Sequence, residues 1–185
     1  ACPQHIFQVL TKRPTRAVEW AEWVSTRKDA FGFAEFVHPM GVLHGSLTTY
    51  NKALSQAIPQ ADMARRRREG ASPSPWPLPN VAFGVTVEDR RYGVPRLDLA
   101  RKFPARYRWA SVEPLLEDLA DVDFSGFDLV VGGGEAGDGA RPFDLQWARN
   151  VRDAARKAGS RFFMKQLGDN VVENGVPLEF GRKGN

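Results

Sequence analysis

The chain has 185 residues and a net charge of +4, with 42% hydrophobic and 26% charged residues. This composition is typical of a soluble globular protein, and the length fits one domain, or one domain with an insertion. A mean hydropathy of −0.40 and the lack of any apolar run near the ~18 residues of a membrane span exclude a transmembrane class. The single cysteine, Cys2, excludes a disulfide framework and any multi-cysteine metal site built from this chain alone. The first residues lack the pattern of a signal peptide, so we expect a cytoplasmic location.

Five short segments have the composition of buried strands, because each is rich in β-branched or aromatic residues and is followed by polar or glycine-rich sequence. They are residues 6–11, 81–87, 107–112, 128–131 and 161–165. Helical patterns cover residues 15–28, 94–102 and 144–158, and Asp144 is placed to cap the last of them. The alternation of strand and helix predicts an α/β fold with parallel strands joined by right-handed crossovers.

The first two predicted strands are separated much more widely than the others, which indicates an insertion over residues 29–80. We expect one helix in it, over residues 47–58, and an extended linker over residues 72–79, where four prolines remove backbone donors. Between them lie four successive arginines, whose charge run is typical of a solvated helix end, with a phosphate or nucleic-acid contact as the alternative. These are Arg65, Arg66, Arg67 and Arg68.

Polar residues follow every predicted strand. Ligands of parallel α/β folds bind at the carboxyl ends of the strands, so these residues are the candidate site. In chain order they are Lys12 and Arg13, then Thr86 and Glu88, then Ser111 and Glu113, then Gly132, Gly133, Gly134 and Glu135, and finally Lys165 and Gln166. If the strands are parallel, all five sets meet at one end of the sheet and form a binding or active site.

Several chemistries fit these residues. The three glutamates, Glu88, Glu113 and Glu135, could share a divalent cation, or two of them could form an acid/base pair. The cations among the set could hold a phosphate or a carboxylate. The alternative is that each glutamate forms a salt bridge with one of those cations.

The glycines of the fourth set match the dinucleotide-binding pattern G-x-G-x-x-G, formed by Gly132, Gly134 and Gly137. No helix is predicted to open at the last glycine, and the next strand ends in Lys165 and Gln166 rather than in an acidic residue. We therefore expect a backbone cradle or a tight turn with positive φ instead of a dinucleotide site.

Charge is unevenly distributed in the second half of the chain. Residues 90–108 contain seven basic side chains, and residues 109–142 contain eight acidic ones. This predicts a polarised surface, with ordinary solvated helix faces and turns as the alternative.

The strand-end motifs resemble a family of uncharacterised phage, plasmid and bacterial proteins, the phage gene-product 37/68-type proteins. The matching segments are residues 7–14, 84–89, 111–116, 131–135, 139–142 and 162–168. The resemblance implies a divergent radical S-adenosylmethionine (SAM) enzyme with a partial (β/α) barrel, in which the long insertion follows the first strand–helix unit. It also implies a [4Fe–4S] cluster held by cysteines, with SAM bound beside it.

The resemblance assigns roles at the strand ends. The expected catalytic residues are Lys12, Arg13, Glu113, Lys165 and Gln166. Glu113 is expected to line the SAM side, and the other four to face the substrate or the SAM carboxylate. The expected cofactor-binding residues are Thr86, Glu88, Ser111, Gly132, Gly133, Gly134 and Glu135. No residue is assigned as a metal ligand.

The cluster cysteines and the first two strands of the family pattern are absent here. We therefore expect a carboxyl-terminal fragment of a longer polypeptide, a single incomplete barrel domain whose open sheet edge favours self-association. Radical chemistry requires that the missing part carry the cysteines. Two alternatives stay open: a cluster-free enzyme that depends on a metal or phosphate, and a non-catalytic nucleic-acid-binding module that uses the arginine-rich segments.

Overall fold

The computed structural model describes residues 6–26 and 80–179. The predicted helix over residues 47–58, the four arginines and the proline-rich linker lie outside these residues. The chain forms two compact units. Among the described residues the first contains 6–9, 15–26, 80–82 and 103–106, and the second contains 10–14, 83–102 and 107–179. The prediction of a single domain with an insertion stays a prediction.

The main sheet has five parallel strands, which confirms the α/β prediction, and it does not close into a barrel. Its strand order is β1-β2-β3-β4-β6. The strands are β1 (Phe7–Thr11), β2 (Val81–Thr86), β3 (Tyr107–Val112), β4 (Leu129–Gly133) and β6 (Arg161–Gln166).

Three helices alternate with these strands in the described part of the chain: α1 (Pro14–Thr26), α2 (Pro95–Lys102) and α3 (Leu145–Lys157). Asp144 caps α3 as predicted, since its side chain accepts a hydrogen bond from the backbone N–H of Gln146 at 2.7 Å. No helix among the described residues is both long enough and apolar enough to cross a membrane.

The two faces of the sheet differ in burial. One face carries the fully buried side chains Phe83, Val85, Ala110, Val112 and Val130, at 0–3% exposure, and the half-buried Phe162 and Met164 of β6. Side chains alternate along a strand, so the intervening residues share the other face. There Trp109 and Val131 are half-buried, and Phe163, which pairs with Val131, is 57% exposed. The second face is therefore the more open one.

Sequence analysis missed a second, three-stranded sheet. Its strands are β5 (Phe143–Asp144), β7 (Val171–Glu173) and β8 (Val176–Pro177), in the order β5-β7-β8. Strands β7 and β8 are antiparallel and are joined by Asn174 and Gly175, both with positive φ. An Asn-Gly pair between two short apolar runs is a strong hairpin signal, and it would have revealed this element.

Candidate functional site

The structure brings the predicted residues to the carboxyl ends of the five parallel strands, and all of them belong to the second compact unit. Lys12 and Arg13 directly follow β1. Thr86 is the last residue of β2, and Glu88 comes two residues later. The remaining residues of the set lie at the ends of the next three strands: Ser111 and Glu113 at β3, the glycines and Glu135 at β4, and Lys165 and Gln166 at β6. Thr86 and Ser111 are buried, at 4% and 6% exposure.

Glu88 lies between two cations. Its Oε1 accepts a hydrogen bond from Lys12 Nζ at 2.6 Å, and its Oε2 is 3.5 Å from Arg96 Nη1. Arg96 also donates to the backbone carbonyl of Thr86 at 2.8 Å, which fixes the guanidinium against the end of β2. The Glu88 side chain is 17% exposed and that of Lys12 is 60% exposed, so the carboxylate is the anchored partner.

Glu113 pairs with Lys165 across an intervening strand. Lys165 Nζ donates to Glu113 Oε2 at 3.1 Å. Glu113 directly follows β3 and Lys165 lies in β6, and strand β4 runs between these two strands. Gly133 of β4 makes this possible. A Cβ at that position would lie 3.0 Å from Glu113 Cδ and 3.1 Å from Oε1, closer than a normal contact. Because Gly133 has no side chain, the charged groups of Glu113 and Lys165, from the two strands that flank β4, can meet above it.

Glu135 and Arg141 close a short loop after β4. Glu135 Oε2 accepts from the backbone N–H of Arg141 at 3.0 Å and from its Nε at 2.8 Å, and Oε1 accepts from Nη2 at 2.7 Å. These hydrogen bonds from Arg141 lower the pKa of Glu135 to about 2. Glu135 is therefore ionised at every physiological pH.

The loop after β4 is joined to the end of β6. The Gly134 N–H donates to the Gln166 carbonyl at 3.1 Å, and Gln166 Nε2 donates to the Gly134 carbonyl at the same distance. Gly134 packs so closely that a Cβ would lie 2.0 Å from the Leu167 carbonyl oxygen. Gln166 thus holds the loop after β4 against the end of β6.

The glycines agree with the predicted turn only in part. Gly132 and Gly133 are the last two residues of β4, and positive φ occurs further on, at Gly137 and Gly139. The first two glycines are required by close side chains from neighbouring strands rather than by backbone conformation. Glycine within a strand marks a close approach, whereas the expected positive φ is found at Gly137, the last glycine of the pattern.

The three glutamates are engaged with basic side chains. Each has its own cationic partner, so the salt-bridge alternative describes their contacts. In the residues that the structure describes, no group of three or more His, Cys, Asp or Glu side chains is arranged to hold a metal ion. Sequence reasoning missed Arg96, which lies on α2, because nothing in its local sequence distinguishes it from the other arginines of that segment.

The basic and acidic stretches pair with each other. Arg90 contacts the side chain of Asp121 and the carbonyl of Asp118, and Arg101 pairs with Asp98 and Asp123. These ion pairs neutralise part of the predicted charge separation. The four successive arginines lie outside the described residues.

An open cleft of about 920 Å³ borders the loop that Glu135 and Arg141 close. Its walls include the carboxylate residues Asp138, Asp169 and Glu179. Asp169 Oδ2 accepts from the Gly137 N–H at 2.6 Å and so fixes one wall.

The sequence model of one protein family, described as "Protein of unknown function (DUF5131)", matches residues 1–184. The chain therefore belongs to this family. No curated protein and no solved structure matches the chain.

Proposed function

We propose that this member of the DUF5131 family binds SAM at the carboxyl edge of its parallel sheet and acts in an enzyme of the radical-SAM type. One observation carries the proposal. Three carboxylates stand at the strand ends, and each is paired with a cation that is more exposed than itself: Glu88 with Lys12, Glu113 with Lys165, and Glu135 with Arg141.

This arrangement suits a ligand that carries both charges. SAM has an ammonium group and a carboxylate on the same carbon. The Glu113 carboxylate, which is 15% exposed, can accept hydrogen bonds from the ammonium group, and Lys165 can turn to the ligand's carboxylate. An ion pair with an exposed partner is worth only ~0–1 kcal/mol, so a zwitterionic ligand can replace it at little cost.

The resemblance to the radical-SAM enzymes supports the choice of ligand. The residues of this chain do not fit a [4Fe–4S] cluster, which is held by cysteine thiolates, because the only cysteine is Cys2. What the chain itself supplies is binding and orientation: Glu88 and Glu113 for a cationic group, and Lys12 and Lys165 for an anionic one. The proposal includes a phage- or plasmid-associated role in the cytoplasm, where thiols stay reduced.

Isothermal titration calorimetry with SAM tests the proposal. The Glu113→Gln variant should bind SAM at least tenfold more weakly than the wild type while it unfolds at a similar temperature. Glu173→Gln is the matched control, because Glu173 also pairs with a basic residue, Arg149, at 2.6 Å, but lies in the small sheet. It should bind like the wild type. No heat of binding at millimolar SAM, or equal affinity in both variants, would overturn the proposal.

A further inference from the structure

Two neighbouring hydroxyl side chains lie on the more open face of the main sheet. Thr86 ends β2 and Ser111 lies near the end of β3, and the two residues are 4% and 6% exposed. They alternate with the core residues Val85 and Ala110, so their side chains share the other face. The Val87 N–H donates to the Ser111 carbonyl at 2.7 Å, which places Thr86 and Ser111 side by side on adjacent strands.

Both hydroxyls are open to a ligand. No hydrogen bond within the described part of the chain involves either of them, and neither oxygen is sealed inside the protein. Ser160 shows the usual arrangement of a buried hydroxyl, because it is 5% exposed and its oxygen lies 2.7 Å from the Phe127 carbonyl. Thr86 and Ser111 are buried to the same degree, but the described residues offer them no such acceptor.

Trp109 adds a third polar group without a partner, two residues before Ser111 on the same face of β3. Its indole N–H is enclosed and has no hydrogen-bond partner among the described residues. The indole lies against Gly84, two residues before Thr86, where a Cβ would be 2.5 Å from Nε1. Three polar groups at one corner of the sheet thus lack the partners that buried polar groups normally have.

The hydroxyl pair begins a row of four side chains across the sheet. Ser111 is in register with Val131, and Val131 with Phe163. Val131 is half-buried and Phe163 is 57% exposed. At about 4.8 Å between strands the row is about 14 Å long, with hydroxyls at one end and apolar side chains at the other. It therefore suits a flat ligand with one polar edge and an apolar remainder.

We propose that Thr86 and Ser111 bind the edge of an uncharged, planar ring that contains a cyclic amide. A hydroxyl both donates and accepts, so two adjacent hydroxyls complement the C=O and the N–H of one amide. A charged group suits them less well, because both residues are almost fully buried and the cations Lys12 and Lys165 are already paired with glutamates. A sugar suits the row less well, because its hydroxyls would also face the apolar end.

This inference goes beyond the proposed function, because it gives the site a second ligand, one step before the charged side chains along each strand. The resemblance assigns Thr86 and Ser111 to the cofactor, so binding of the adenosyl part of SAM is the competing assignment. The test uses no SAM. It can therefore fail while the calorimetric test with SAM succeeds, and the reverse.

The probe is 2-pyridone, a planar cyclic amide, titrated to millimolar concentration in proton–nitrogen correlation NMR. The reporter is the indole N–H signal of Trp109, which is identified by its loss in Trp109→Phe. The wild type should show saturable binding of 2-pyridone, and it should bind N-methyl-2-pyridone, which lacks the amide N–H, at least fivefold more weakly. Thr86→Val and Ser111→Ala should each weaken the binding of 2-pyridone about fivefold, as expected for the loss of one hydrogen bond.

Ser160→Ala is the matched control, because it also removes an almost fully buried hydroxyl, but one that contacts backbone carbonyls. It should bind 2-pyridone like the wild type and unfold at a lower temperature. Thr86→Val and Ser111→Ala should unfold near the wild-type temperature, because they break no hydrogen bond of the described chain. If one of the two does not fold, the other decides together with Thr86→Ser, which keeps the hydroxyl and should bind like the wild type.

The proposal is overturned if 2-pyridone leaves the signal unmoved, if its N-methyl derivative binds equally well, or if both hydroxyl variants keep wild-type affinity. It is also overturned if both variants are destabilised as much as Ser160→Ala, since the hydroxyls would then be structural. Adenosine that binds with the same dependence on the hydroxyls, where 2-pyridone does not, would assign the pair to the cofactor. Benzoate that does so would show an anion site.

Discussion

Three consecutive glycines at the end of β4 should respond very differently to the same substitution by alanine. An added Cβ at Gly132 meets the edge of the Phe162 ring at 3.1 Å, and at Gly133 it meets the Glu113 carboxyl carbon at 3.0 Å. At Gly134 it meets the backbone carbonyl oxygen of Leu167 at 2.0 Å. Side chains can yield by a few tenths of an ångström, but the backbone at Leu167 cannot.

The expected loss of stability follows from these contacts. In Gly134→Ala the two loops must separate by about 1 Å to reach a normal C···O contact. This breaks the two hydrogen bonds between Gly134 and Gln166, each worth about 1 kcal/mol, and adds strain of about 1–3 kcal/mol. Replacing glycine by alanine restricts the unfolded chain, and this recovers about 0.4–1 kcal/mol of the free energy of unfolding. We therefore expect a net loss of about 3 kcal/mol for Gly134→Ala and less than about 1 kcal/mol for Gly132→Ala.

Urea unfolding monitored by both circular dichroism and tryptophan fluorescence measures these differences, provided that the two transitions coincide. Gly133→Ala should be nearly as stable as the wild type but should displace the Glu113 carboxylate and weaken SAM binding. The reasoning is refuted if Gly134→Ala is as stable as the wild type, or if Gly132→Ala is equally destabilised.

Two further predictions concern a charge and a hydroxyl. The folded pKa of Glu135, about 2, lies below its ordinary value of 4.5, so its pair with Arg141 favours the folded state above pH 4.5. This contribution is lost as the pH falls from 4.5 towards 2. A carboxyl NMR titration should give a midpoint near 2, and Arg141→Gln should move it towards 4.5; an unmoved midpoint contradicts the assignment. The buried Ser160 hydroxyl shares its single proton between two backbone carbonyls, that of Phe127 at 2.7 Å and that of Phe124 at 3.2 Å. Ser160→Ala should therefore lower the free energy of unfolding by about 1–2 kcal/mol, and wild-type stability in urea would contradict this.

The parallel sheet could be predicted because its strands are short apolar segments followed by polar residues. The predicted boundaries of β3, residues 107–112, match the structure, and Asp144 caps α3 as its type and position indicate. Strand β4 was expected to end at Val131, two residues early, because glycine is a poor strand former. The strand continues through Gly133 because its neighbours supply the packing.

The placement of these residues at the strand ends could also be predicted, but their pairing could not. Residues at strand ends follow from the topology. In contrast, Lys12, one of the two partners of Glu88, is 76 residues away in sequence, and Lys165, the partner of Glu113, is 52 residues away. Such contacts depend on the strand order, which puts β4 between β3 and β6. No local pattern at Glu113 distinguishes Lys165 from the other cations at this edge.

Glycines within the strands leave room for side chains of neighbouring strands, and this occurs at two positions in the main sheet. On β2, a Cβ at Gly84 would lie 2.3 Å from the indole of Trp109, so the absence of a side chain lets the ring of the neighbouring strand lie on the more open face. On β4, Gly133 lets Glu113 and Lys165 meet across the strand. In both cases a residue with no functional group determines where a large or charged side chain lies. Because the carboxylate that we assign to ligand binding is positioned by a strand glycine, stability and binding should separate at Gly133, where the neighbour is a side chain. At Gly134, where the neighbouring atom belongs to the backbone, the same substitution should reduce both stability and ligand binding.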